Sequence, residues 1–135
     1  MFSVGEIMER NVLTIPRGTP LKVAARTLAD RDVGGAPVCD AAGHVLGILS
    51  KTDLVEAFTS GEDQLVEDVM YPEVLSVDAG APIQAAIHRM AFEGVHRLLV
   101  FGEDGKLAGI VTSMDVLRAL AGLPRRSDRI IAVAP

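Results

Sequence analysis

Apolar and polar positions fall into blocks that occur twice along this chain. The runs "VLTI" (12–15) and "VLSV" (74–77) are short and apolar, as strands are. "RGTP" and "AGAP" follow, placing Pro20 and Pro82 at the start of a helix, where a missing N–H costs nothing. Leu21, Ala24, Ala25 and Leu28 then recur at i, i+3, i+4, i+7, as do Ile83, Ala86, Ile87 and Met90. That spacing predicts one apolar stripe on each of two helices. "APVC" and "LLVF" read as buried strands. "DAAG" and "GEDG" read as tight turns ending in a Gly able to take positive φ. "VLGIL" and "LAGIV" complete the hairpins, and helices bearing Leu54, Val55, Phe58 and Val116, Leu117, Leu120 close each block. The predicted fold class is α/β (α+β), in two β-α-β-β-α units.

The blocks match without a gap at an offset of 62 (109 − 47), from Val4/Val66 to Phe58/Leu120. Identities include Met8/Met70, Leu13/Leu75, Pro20/Pro82, Val38/Val100, Gly47/Gly109 and Asp53/Asp115. Register held over so long a stretch indicates duplication. The domain reading is residues 1–62 for the first repeat with its linker ("TSGEDQ", 59–64), 63–122 for the second, and 123–135 for a tail. A unit of about 60 residues has a marginal core alone. Two related units packed with pseudo-two-fold symmetry would bury one sheet face against the other and leave two related clefts.

Each repeat carries Gly, two aliphatics, a hydroxyl residue, two variable residues and Asp: "GILSKTD" (47–53) and "GIVTSMD" (109–115). At a helix start, Ser50-x-x-Asp53 and Thr112-x-x-Asp115 form a capping box. Two features suggest more. A capping box favours Glu or Gln, whose longer side chains reach back, yet Asp stands there twice. Gly47 and Gly109 lie inside a strand, where Gly marks close approach of another group. A helix N-terminus offers N–H groups to phosphate, and a nearby carboxylate can accept from both ribose hydroxyls. A nucleotide has both ends.

With "VGEIM" (4–8) and "VEDVM" (66–70) ahead of them, the two units resemble a tandem pair of CBS domains, a Bateman module, over about residues 3–121. The resemblance implies a stand-alone regulatory protein without catalytic residues. It also implies an adenosyl effector (AMP, ADP, ATP or S-adenosylmethionine) and no required cofactor. By the same resemblance Asp53 with Ser50, and Asp115 with Thr112, hold the ribose. Thr14, Ile15 and Pro16, and Ser76 and Val77, frame the base. Gly35, Ala36 and Pro37, and His96, Arg97 and Leu98, line the clefts. The basic pair His96-Arg97 suits phosphate, whereas Gly34-Gly35 offers no charge, so unequal sites are expected. A homodimer through the helical faces and an unidentified effector protein are the expected partners. The alternative is a dimeric scaffold whose nucleotide clefts stay empty.

Composition narrows the classes. Net charge is −5 with scattered basic residues, which argues against nucleic-acid binding. Mean hydropathy is +0.32, but no apolar run is long enough for a membrane span. The single Cys39 suits a reducing cytoplasm, and the start of the chain does not read as a signal peptide. Cys39, His44, His88 and His96 lack zinc-site spacing, so no metal is expected. "FGEDGK" lacks the spacing and the Ser or Thr of a P-loop. Met8 and Met70 read as packing residues. Arg125, Arg126 and Arg129 fall in the tail, where "RIIAV" is an edge-strand candidate.

Overall fold

The computed structural model describes residues 2–60 and 63–124, so part of the linker and the "RIIAV" segment lie outside the described residues. The chain divides into two compact units, one built from Leu13–Val74 and the other from the first 12 residues with Leu75 onward.

In chain order the elements are α1 (Val4–Ile7), β1 (Ile15–Pro16), α2 (Leu21–Arg31), β2 (Gly35–Cys39), β3 (Val45–Ser50) and α3 (Lys51–Phe58). Then come α4 (Val66–Val69), β4 (Ser76–Asp78), α5 (Ile83–Glu93), β5 (Arg97–Phe101), β6 (Leu107–Thr112) and α6 (Ser113–Leu120). Each unit holds a three-stranded sheet, β1-β2-β3 or β4-β5-β6. The first pair is parallel and the second antiparallel, with a register shift at Val38/Cys39 and at Val100/Phe101. This is the mixed α+β architecture that the periodicity predicts.

The helical stripes bury as their spacing dictates. Leu21, Ala24 and Leu28 of α2 pack with Ile15, Ala36, Val38, Leu49 and Leu54 in one core. Ile83, Ala86 and Met90 of α5 pack with Leu98, Val100, Val111 and Val116 in the other. Pro20 and Pro82 are N-caps in extended conformation, one position ahead of the predicted first helical residue. At the opposite ends, Asp32 and Gly94 take the left-handed conformation, with φ of 51° and 68°.

The two short helices α1 and α4 are additional to the β-α-β-β-α pattern. Val4, Ile7 and Met8 of the first leading segment are buried in the core around α5 and β6. Val66 of the second is buried in the core around α2 and β3. Each repeat thus gives its leading segment to the unit whose sheet the other repeat builds. Paired backbone hydrogen bonds fix both exchanges: Glu9 with Ile110 (2.8 and 3.0 Å) and Tyr71 with Ile48 (2.9 and 3.1 Å). In the second case an Arg17–Glu67 ion pair of 2.6 Å adds to the hold.

Candidate functional site

The motif begins where a strand becomes a helix. Ser50 and Thr112 end β3 and β6 in extended conformation and cap α3 and α6. Ser50 Oγ accepts from the Asp53 N–H at 3.2 Å, and Asp53 Oδ2 accepts from the Ser50 N–H at 3.0 Å. Thr112 Oγ1 and Asp115 Oδ2 do the same at 3.2 and 2.8 Å. Both boxes are therefore closed with Asp. The capping-box reading holds, and Asp serves where Glu or Gln is favoured: the extended cap residue turns its own N–H toward the helix, within reach of a two-carbon side chain. Each cap contributes about 1 kcal/mol.

The strand glycines also have a structural reason. A Cβ at Gly47 would overlap the Tyr71 carbonyl oxygen, and one at Gly109 would lie 2.6 Å from both Glu9 O and Met8 Sδ. The group that approaches each glycine is the chain's own leading segment, rather than an external ligand.

What remains for a ligand is the other carboxylate oxygen, Oδ1, and its neighbourhood. Sheet topology brings the strand starts to the motif in each unit. Gly35 pairs with Ser50 and Arg97 with Thr112. The first helical amides of Lys51 and Ser113 donate to the Gly34 and His96 carbonyls, each at 2.9 Å. Those amides and the ones held by the caps are spent, which leaves little of either helix N-terminus for an anion. Thr14, Ile15, Pro16, Gly35, Ala36, Pro37, Ser50 and Asp53 thus belong to one unit. Ser76, Val77, His96, Arg97, Leu98, Thr112 and Asp115 belong to the other.

Their exposure separates the roles open to them. Thr14, Pro16 and His96 are exposed, while Ser50, Asp53, Ser76, Val77, Arg97, Thr112 and Asp115 are half-buried. Ile15, Ala36, Pro37 and Leu98 are buried, so they act through backbone or by shaping the wall.

The Asp115 side chain is 11 % exposed and lies beside Arg118. Burial pushes its carboxyl above the ordinary carboxylate range; the Thr112 hydrogen bonds and Arg118 pull it down, and Glu9 adds to the rise. Arg118 Nη1 lies 3.7 Å from Asp115 Oδ1. Neither Glu9 nor Arg118 was among the sequence candidates. The i, i+3 spacing of Asp115 and Arg118 on one helix is a readable signal; the arrival of Glu9 from the leading segment is not.

A groove of about 390 Å³ lies between α2 and α3, lined by Leu28, Val33, Leu54, Val55 and Phe58 among others. It runs over the helical face and is not lined by Ser50 or Asp53. Among the described residues, no three or more His, Cys, Asp or Glu side chains gather as a metal site would need. No helix among them is long and apolar enough to cross a membrane.

The CBS domain family model matches residues 4–60 and 66–122, almost the whole of both repeats. The chain belongs to the CBS domain family. Among solved structures, this CBS pair is similar to that of protein MJ0100, in complex with 5′-methylthioadenosine and S-adenosyl-L-methionine. The TM-score is 0.83 at 22 % identity, over 90 % of this chain and 98 % of that one. It is also similar to CBSX2 in complex with AMP, with a TM-score of 0.77 at 27 % identity over 90 % and 98 %. The uncharacterised protein MJ1225 of Methanocaldococcus jannaschii is 29 % identical over 119 residues, which are 87 % of this chain and 42 % of the relative. The chain spans 40 to 61 % of the length of the first curated relatives it matches.

Proposed function

We propose that this CBS pair is a regulatory module that binds an adenosyl ligand and passes the signal to another protein. The carrying observation is local to each unit. The cap uses only Oδ2 of Asp53 and of Asp115; Oδ1 of Asp53 is left over at the same sheet end as the strand starts, and Oδ1 of Asp115 faces Arg118 Nη1 at 3.7 Å. A carboxylate so held is a charge-assisted acceptor for a ribose diol. The similar CBSX2 structure contains AMP, which supports the class of ligand. AMP, ADP, ATP and S-adenosylmethionine are the effectors to try, with no cofactor required, no catalysis by the pair itself and a cytoplasmic setting. Arg97 and His96 make one half-site the better phosphate partner, while Gly34-Gly35 leaves the other neutral.

A thermal-shift panel of these ligands, followed by calorimetry, tests the reading. A ligand that binds only the folded state stabilises it by about 2.7 kcal/mol at a hundred times Kd. Weaker binding of 2′-deoxyadenosine ligands is expected; equal affinity for ribose and deoxyribose forms would overturn the assignment.

The second reading, a dimeric interaction scaffold, rests on a different observation. Val55, Phe58, Leu117 and Leu120 are 52 to 67 % exposed on α3 and α6. A homodimer through these faces is compatible with ligand binding. Light scattering over a dilution series decides it: a mass of twice 14.3 kDa supports the dimer, and a monomer at micromolar concentration refutes it.

A further inference from the structure

The two motif carboxylates stand in different charge surroundings. One turn along α6 from Asp115 comes Arg118; one turn along α3 from Asp53 comes Glu56. The backbone bridge to β6 pairs Glu9 with Ile110, and the matching bridge to β3 pairs Tyr71 with Ile48. Asp115 and Arg118 are withdrawn from water, with side chains 11 % and 17 % exposed, so their mutual attraction is poorly screened. No ion pair to Asp53 occurs among the described residues.

We propose that Arg118 is a positioning residue for the Asp115 half-site: it holds Asp115 as the charged acceptor that a ribose diol needs, against the opposing charge of Glu9. The inference rests on the adenosyl-ligand reading above and adds what makes one half-site responsive to acidity. Other charged groups stand on the elements around α6. Glu6 on α1 is exposed and engaged with the Ser3 N–H. Arg89 and Glu93 on α5 pair with each other at 3.9 Å, and His88 beside them is exposed. His96 and Arg97 open β5. Arg118 pairs with the Asp115 carboxyl at 3.7 Å, and the charge of Glu9 opposes it. Losing one partner of a desolvated pair leaves the other uncompensated. Without Arg118, Asp115 keeps its burial and its acidic neighbour and takes up a proton more readily. A protonated carboxyl is a poor acceptor for two hydroxyls.

The test has a ligand-free arm and a binding arm. By NMR titration of the Asp115 carboxyl, Arg118→Gln shifts its midpoint upward, Glu9→Gln shifts it downward, and Arg118→Lys stays near the parent. For binding, Asp53→Asn isolates the Asp115 half-site and AMP is the probe, measured by calorimetry near pH 5.5 and pH 8. Arg118→Gln is expected to lose more affinity at the lower pH than at the higher, and Arg118→Lys to recover it. An unmoved Asp115 midpoint in Arg118→Gln overturns the proposal. So does an equal loss at both pH values, which marks a direct ligand contact or a packing role. Should Arg118→Gln fail to fold, Glu9→Gln decides alone, with tighter AMP binding expected near pH 5.5. Absence of AMP binding to the parent protein would sink the nucleotide reading, while the ligand-free arm still tests Arg118.

Discussion

The unit around α2 and the unit around α5 share one backbone plan and differ in what surrounds it. Both close the same capping box, and both clear a strand glycine for an incoming carbonyl. The differences sit at matched positions: Glu56 against Arg118, Tyr71 against Glu9, Gly34-Gly35 against His96-Arg97, Asp32 against Gly94. The attachment of the leading segments differs too. In one unit the Arg17–Glu67 ion pair holds α4. In the other, Gly5 approaches so closely that a Cβ there would lie 3.0 Å from the Ala79 carbonyl oxygen. The lesson is that hydrogen-bond geometry fixed the frame, whereas the charge around each carboxylate is adjustable through side chains outside the motif.

The largest test of the comparison removes a leading segment. Deleting residues 2–8 strips Val4, Ile7 and Met8 from the α5 core. At about 2 kcal/mol per buried side chain, this approaches the whole stability of a small unit. Hydrogen exchange should report lost protection across 75–120 with protection retained across 13–58. Loss confined to the first repeat would contradict the exchange.

The glycine substitutions come next. Gly47→Ala and Gly109→Ala should each cost about 3 kcal/mol in urea unfolding, because the obstructing atoms include backbone carbonyls. Gly18→Ala, with open space around its Cβ, is the control.

Charge removal at the carboxylates comes third. Asp53→Asn and Asp115→Asn should each weaken AMP binding at the affected site by about tenfold or more. Calorimetry of the single and double variants separates the sites, and parental affinity in both singles would leave only the scaffold reading.

A smaller effect concerns the helix ends. Asp32 occupies a left-handed position filled by Gly94 in the other unit. Asp32→Gly should stabilise by about 1 kcal/mol or less, since Asp tolerates that region better than most side chains. Chemical denaturation measures it.

The smallest expected effect is the pH profile. The Asp40 carboxyl is held below its ordinary range, first by the His44 backbone N–H. Its contribution is present above its unfolded value and is lost as pH falls toward the folded one. Asp115 has the opposite sign. Its raised carboxyl favours the fold at low pH, and that contribution is lost as pH rises through the folded value. Asp40→Asn should therefore flatten the acid limb of a stability–pH curve, and Asp115→Asn should steepen it.

Periodicity located every element of eight residues or more, because a stripe such as Leu21, Ala24, Leu28 needs two turns to register. It missed α1 and α4, whose four residues complete barely one turn. It overextended the first strands. Val12 and Val74 lie ahead of the sheet pairing, which starts at Ile15 and Ser76. In the site, the hydroxyl and acid positions were readable because the cap is local. The close approach at Gly47 and Gly109 was readable too, but not its source, because the atoms that crowd them, at Tyr71 and Glu9, lie far off in sequence. The same distance hid the pressure of Glu9 on Asp115.

The exchanged leading segments impose an order of events on the growing chain. Tyr71 needs only to find Ile48, 23 positions back (71 − 48), so all of Leu13–Val74 is available as one continuous folding unit. Glu9 must wait for Ile110, 101 positions ahead (110 − 9). By chain-closure entropy the longer search costs about 1 kcal/mol more, and during synthesis it also costs time. Val4, Ile7 and Met8 are made long before β6 and are covered only once it is in place. Until β6 exists they are an uncovered apolar segment, open to chaperones or to the β6 of another copy.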